Sequence, residues 1–96
     1  PAMTEAAIGN LDLVLTSNPD YPFAWRQLAI AYGRQKKMGE SSRALAEEAL
    51  LYGRNEAAVA IAERAKKLLK RGSPPWLRAE DIIVAAKENQ NAAKQR

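Results

Sequence analysis

The residues that could do chemistry are few: two pairs of adjacent acids, Glu47-Glu48 and Glu80-Asp81, a basic cluster of Lys66, Lys67, Lys70 and Arg71, and the aromatics Trp25, Tyr32 and Trp76. Paired carboxylates work as general acid and base only when they converge on one bond. Neighbours on a helix point about 100° apart, so both pairs read as solvated surface carboxylates with helix-end roles. The basic cluster would attract acidic partners or lipid headgroups, and the same charges also complement a helix C-terminus. Histidine and cysteine are absent. That removes the HExxH zinc helix, thiolate metal sites and the usual catalytic triads from this chain. Gly33, Gly39, Gly53 and Gly72 are dispersed and make neither a phosphate loop nor a dinucleotide fingerprint, so they read as turn or close-packing glycines. The expectation is no catalytic residue, no metal site and no cofactor in these 96 residues.

The elements that position these residues are helical. Nearly half of the chain is hydrophobic, yet only 6 residues are aromatic and 19 are alanine. Alanine, leucine, glutamate, lysine and arginine favour helix, and small side chains let helices approach closely. Breaks fall at Asn18-Pro19-Asp20-Tyr21-Pro22, Met38-Gly39, Tyr52-Gly53-Arg54-Asn55 and Arg71-Gly72-Ser73-Pro74-Pro75. Between them apolar residues recur at helical spacing, giving helices over about 3–16, 23–36, 40–51 and 56–70 and a fifth from about 75. In the first, Ile8, Leu11 and Leu15 share a stripe beside Ala7 and Val14. The polar tail 89–96 is expected to fray. No stretch approaches the roughly 18 apolar residues of a membrane span. The chain begins at Pro1 without an initiator methionine and reads as a piece of a longer protein. The excess of 15 basic over 11 acidic residues is too modest to imply nucleic-acid binding.

An internal repeat emerges from the same spacing. Trp25, Leu28, Ala29 and Tyr32 match the first-helix pattern of a tetratricopeptide (TPR) repeat, and Pro19 stands where the preceding repeat's closing proline belongs, with Ala7, Leu11 and Val14 on the second-helix positions before it. Thirty-three residues on, Ala58, Ile61, Ala62 and Ala65 repeat the first-helix spacing, and Ala79, Ile83 and Ala86 the second. The helix between is divergent. Ser41 or Ser42 takes the place of the small alanine, and one register puts Glu48 where alanine is usual. The chain therefore resembles an all-α, TPR-like stack of antiparallel helix pairs, a right-handed α-solenoid of about five helices. Its single domain, 1–88, divides into a half repeat at about 3–19, a full repeat at about 20–53 and a divergent one at about 54–88. The repeat core comprises Trp25, Leu28, Ala29, Tyr32, Ile61, Ala62, Ala65 and Ile83. Trp76, beside two prolines, either seals the last helix or faces a partner.

A narrower likeness lies in Ala24-Trp25-Arg26-Gln27-Leu28-Ala29-Ile30-Ala31-Tyr32-Gly33-Arg34, Ala46-Glu47-Glu48-Ala49-Leu50, Ala62-Glu63-Arg64-Ala65 and Gly72-Ser73-Pro74-Pro75-Trp76-Leu77-Arg78-Ala79-Glu80-Asp81-Ile82. Over about residues 18–84 the chain is similar to the C-terminal TPR region of bacterial periplasmic zinc metalloproteases of the BepA type. The resemblance implies an accessory domain that packs on an HExxH protease domain and engages protein clients or the outer-membrane assembly machinery. Zinc would then belong to the protease domain, which this chain does not include, and the compartment would be the periplasm.

First helices of a TPR stack line its concave face, which makes Phe23, Arg26, Ile30, Arg34, Glu63, Lys66 and Lys67 the candidate binding surface for a protein or peptide. Glu56 and Val59 belong to the same face. The Lys and Asn constellation of chaperone-tail receptors is not reproduced, because Arg26 and Ile30 hold the matching sites. The alternatives are self-association, a homodimer through the open apolar face of the initial half repeat, and a generic TPR scaffold unrelated to a protease.

Overall fold

In the computed structural model, which describes residues 2–95 and side chains 4–95, the chain forms five α-helices and no strand among the described residues. They are α1 (Ala2–Ser17), α2 (Pro22–Arg34), α3 (Met38–Leu51), α4 (Asn55–Leu68) and α5 (Pro74–Lys94). Each helix packs on the next in chain order, and α3 also touches α5. The body is elongated, 48 × 26 × 17 Å.

Proline places two of the helix starts: Pro22 and Pro74 stand in the first turns of α2 and α5, where a missing N–H costs nothing. The ends of α2 and α3 share one geometry. The Lys37 N–H donates to the Tyr32 carbonyl at 3.0 Å and the Arg54 N–H to the Ala49 carbonyl at 2.9 Å, closures of Schellman type around a left-handed residue. That residue is Gly53 after α3 (φ 73°) but Lys36 after α2 (φ 60°). The expected break at Met38-Gly39 therefore sits earlier, at Gln35-Lys36-Lys37. Gly39 belongs to the first turn of α3 and is buried for a packing reason, since a Cβ there would come within 2.8 Å of the Leu69 side chain.

Two clusters make the core. Leu15, Ala24, Trp25, Leu28, Ala29 and Ala44 join α1, α2 and one side of α3, with Ile8, Leu11, Tyr32 and Leu45 packed against them. Ala46, Ala49, Ala58, Ala62, Ala65, Ala79, Ile82, Ile83 and Ala86 join the other side of α3 to α4 and α5. Among the described residues only Leu28 and Ile82 are both large and fully enclosed, so helix spacing is set by alanine. Trp25 lies in the first cluster with its indole Nε1–H donating to the Pro19 carbonyl at 2.7 Å, which ties the α1–α2 turn to α2. Ser41 and Ser42 are both buried, and the Ser41 hydroxyl donates to the Ala29 carbonyl at 2.8 Å.

Several expectations change. Ile61 and Tyr32 are only partly buried and pack at the edges of their clusters. Ala7 and Val14 face outward, because α1 has a single neighbour and buries only the Ile8, Leu11 and Leu15 stripe. The segment 89–94 continues α5 instead of fraying, and the Asn89 amide donates to Asn55 Oδ1 at 3.2 Å. Elongating an existing helix adds a hydrogen bond for each residue fixed, so polarity alone does not end it.

Two stability measurements follow from this packing. Trp25→Ala should cost about 3–5 kcal/mol in urea unfolding through lost core volume, whereas Phe23→Ala, at a side chain 59% exposed, should leave the midpoint nearly unchanged. Burial, with Asp12 adding a smaller effect, raises the Tyr32 phenol above its ordinary pKa. The unfolded chain then loses this proton first, so the stability is intact below the ordinary tyrosine pKa of about 10 and is lost as pH rises through the folded value. Thermal melting of Tyr32→Phe should show a smaller alkaline decline than the parent.

Candidate functional site

Both acids of the first pair are buried, Glu47 at 5% and Glu48 at 8% exposure, contrary to the expectation of solvated carboxylates. The cause is the position of α3, which packs against α2, α4 and α5 and has little free face. Glu47 accepts from Arg78 of α5 through both oxygens, Nε to Oε2 at 2.8 Å and Nη2 to Oε1 at 2.7 Å, and from Arg43 Nη1 at 3.3 Å. Glu48 turns the other way, to Arg26 Nε at 3.1 Å and Nη2 at 2.9 Å. The two carboxylates diverge, as helical geometry requires, and each is occupied by guanidinium. The hydrogen bond to Glu47 holds the Arg78 guanidinium above its already high pKa, and burial opposes it. Arg43 also lies 5.1 Å from the Trp25 ring centroid, a cation–π contact inside the first core cluster. Beside this network a cleft of about 370 Å³ opens between Leu15, Pro19, Asp20, Trp25, Leu50 and Leu51, with Glu47 and Arg78 in its wall.

A larger depression lies elsewhere, between the end of α4 and the start of α5. It holds about 450 Å³ and is lined by Glu63, Lys66, Lys67, Arg71, Trp76 and Glu80. Trp76 and Glu80 are four residues apart and share one side of α5, facing Lys66 of α4. The Lys66 ammonium reaches Glu80 Oε2 at 3.3 Å and stands 4.8 Å from the Trp76 ring centroid. The Arg71 guanidinium lies 6.0 Å from the same ring. Among the described residues Lys67 and Arg71 have no carboxylate partner and Glu63 no cation within an ion pair, which leaves the shelf with an excess of one positive charge. A second depression of about 310 Å³ shares Glu63, Lys66 and Glu80 and extends past Asp81, Ile83 and Val84.

The residues named from sequence as one concave face lie on α2 and on α4. Glu63, Lys66 and Lys67 come together on the shelf. Phe23, Ile30 and Arg34 are exposed on α2, with the Phe23 ring 6.1 Å from that of Tyr21, and Arg26 is committed to Glu48. The helices α2 and α4 do not touch; the contact between alternate helices is α3 on α5. Trp76 and Glu80 complete the shelf and were not joined from sequence to the basic cluster of Lys66, Lys67 and Arg71. The available signal was the run of cations just ahead of Pro74-Pro75-Trp76. Among the described residues no cluster of acidic side chains is arranged to hold a metal ion. Comparison with protein-family models, with curated proteins and with solved structures gives no match.

Glu47→Ala should unpair Arg78 and Arg43 together. A fully enclosed ion pair broken this way costs roughly 3–5 kcal/mol; with the Arg78 side chain 45% exposed, a loss of about 2 kcal/mol is expected. Glu80→Ala, whose partner contact is surface-exposed, should cost under about 1 kcal/mol. Equal urea midpoints for the two variants would refute the anchoring role of Glu47.

Proposed function

We propose that this chain is a non-catalytic protein-interaction module of TPR-like type, the accessory region of a BepA-like periplasmic zinc metalloprotease, which docks on the protease domain and engages protein clients. One observation carries the reading. The segment in which that resemblance is most specific, Gly72–Ile82, also contributes to the surface site: it supplies Trp76 and Glu80 to the shelf and Arg78 to the anchor on Glu47. The succession of helices each packed on the next and the Trp25, Leu28 and Ala29 packing are in keeping with it. The α3–α5 contact, in place of one between α2 and α4, makes the repeat divergent in geometry as well as in sequence. In this reading the zinc belongs to the protease domain, since this chain has no histidine to offer it. No helix of the described residues is long and apolar enough to cross a membrane.

A second reading, self-association, draws on α1, where Leu13 is 70% and Val14 42% exposed. Sedimentation decides between them. Mixed with a BepA-type protease domain stripped of its own TPR region, the chain should sediment as a one-to-one complex, and Ile30→Asp with Arg34→Glu should weaken it by about tenfold or more. These two sites leave the Arg26–Glu48 pair intact, so folding is preserved. Absence of a complex would remove the protease reading, and a dimer of the chain alone that Leu13→Asp dissociates would establish the second.

A further inference from the structure

Resting on the interaction-module reading, we infer that the Trp76 shelf receives an extended, acidic protein segment, its carboxylates gripped by Lys67 and Arg71 and a neighbouring apolar side chain laid over Val84. The shelf's three cations have different duties. Lys66 is spent on Glu80 and on the face of Trp76, which fixes the ring. Lys67 is exposed and Arg71 only rests on the ring, so their donors are open to a ligand. Arginine presents a planar fork that fits a carboxylate, and lysine adds a mobile point charge. Lys70, also exposed, raises the local positive potential.

The adjoining depression gives the site its length. It leads from Lys66 and Glu80 along α5 to Ile83 and Val84, the latter 56% exposed. Asp81 lines this second part, so an acidic side chain is repelled there and an apolar one accepted, while the Arg71 end prefers the acid. A ligand with its acid at one end and an apolar residue a few positions away matches both ends. Extended chain advances about 3.3 Å per residue, so a few residues span the two depressions.

Nucleic acid fits less well. Glu63, Glu80 and Asp81 interrupt the positive surface and would repel a continuous phosphate ladder, as they would an unbroken run of acidic residues, so the acids of the ligand are confined to the Lys67 and Arg71 end. The single aromatic ring is already engaged by two cations, which leaves a base nothing free to stack upon.

Tryptophan fluorescence tests this directly, since Trp25 is buried and contributes a constant background while Trp76 lies at the site. The probes are a short peptide, acetylated and amidated at its ends, with two adjacent glutamates and a leucine a few positions on, its glutamine isostere, inorganic phosphate and a single-stranded oligonucleotide. The acidic peptide should give a saturable, salt-sensitive change, at least about tenfold weaker for Lys67→Gln with Arg71→Gln. Arg54→Gln, at the far end of α4, should leave it unaltered, and Val84→Asp should weaken it. Equal binding of the glutamine isostere would overturn the acidic preference and leave the interaction module standing. The same response to phosphate or oligonucleotide, or none to any probe with helicity intact, would also overturn the inference. Sedimentation with the protease domain is independent of these outcomes, so failure of the site and failure of the module are told apart.

Discussion

The fold turns on one buried carboxylate. Glu47 sits on the central helix and binds Arg78, 31 residues later, through both oxygens while Arg43 closes from its own helix. Taking a carboxylate out of water is costly, and the cost is offset only when its lone pairs are all met. Three guanidinium contacts meet that condition and draw α5 back onto α3, the one contact here between alternate helices. The apolar cluster that holds Ala46 and Ala49 of α3 with Ala79, Ile82, Ile83 and Ala86 of α5 closes the same contact from the core side.

Alanine supplies the other half of the constraint. Among the described residues seven alanines have no exposed surface, and the large enclosed side chains are Leu28 and Ile82 alone. Small residues bring helix axes close and gain dispersion contacts along the whole interface, but they remove little apolar area from water. A core of this kind leaves charge and hydrogen bonding to fix direction and register. The Ser41 hydroxyl on the Ala29 carbonyl does so near the start of α3, the two guanidinium–carboxylate anchors near its end, and the Trp25 indole on the Pro19 carbonyl at the α1–α2 turn. The same economy explains why Leu13, Phe23 and Val84 remain outside: a thin stack of helices has more surface than its alanines can cover.

What could be read from sequence was local. The spacing of Trp25, Leu28 and Ala29 identified the face of α2 that is buried, and the prolines marked where α2 and α5 begin. Glycine misled at one turn, where Lys36 adopts the left-handed conformation usually left to glycine and Gly39 is instead kept small by Leu69. The burial of Glu47 and Glu48 was out of reach, because their decisive partners lie 31 and 22 residues away and depend on which helices touch. Only the Arg43–Glu47 pair, one turn apart on α3, was visible beforehand. The shelf was half legible for the same reason: its lysines are consecutive in the chain, but the ring and acid that shape it come from the next helix.

Anchor and shelf are not separate features. Residues 76, 78 and 80 lie within two turns of α5, and helical geometry sends the middle one to the opposite side from the outer two. Arg78 therefore points to Glu47 while Trp76 and Glu80 point to Lys66, and each contact limits the freedom of the other. The anchor immobilises the start of α5, which holds the Trp76 ring under Lys66 and keeps the shelf open without help from a ligand. A site arranged in advance loses less entropy on binding than one assembled by its partner. A buried ion pair of modest net stability thus has its main consequence at the surface, in the fixed placement of an aromatic ring and the two unpaired cations beside it.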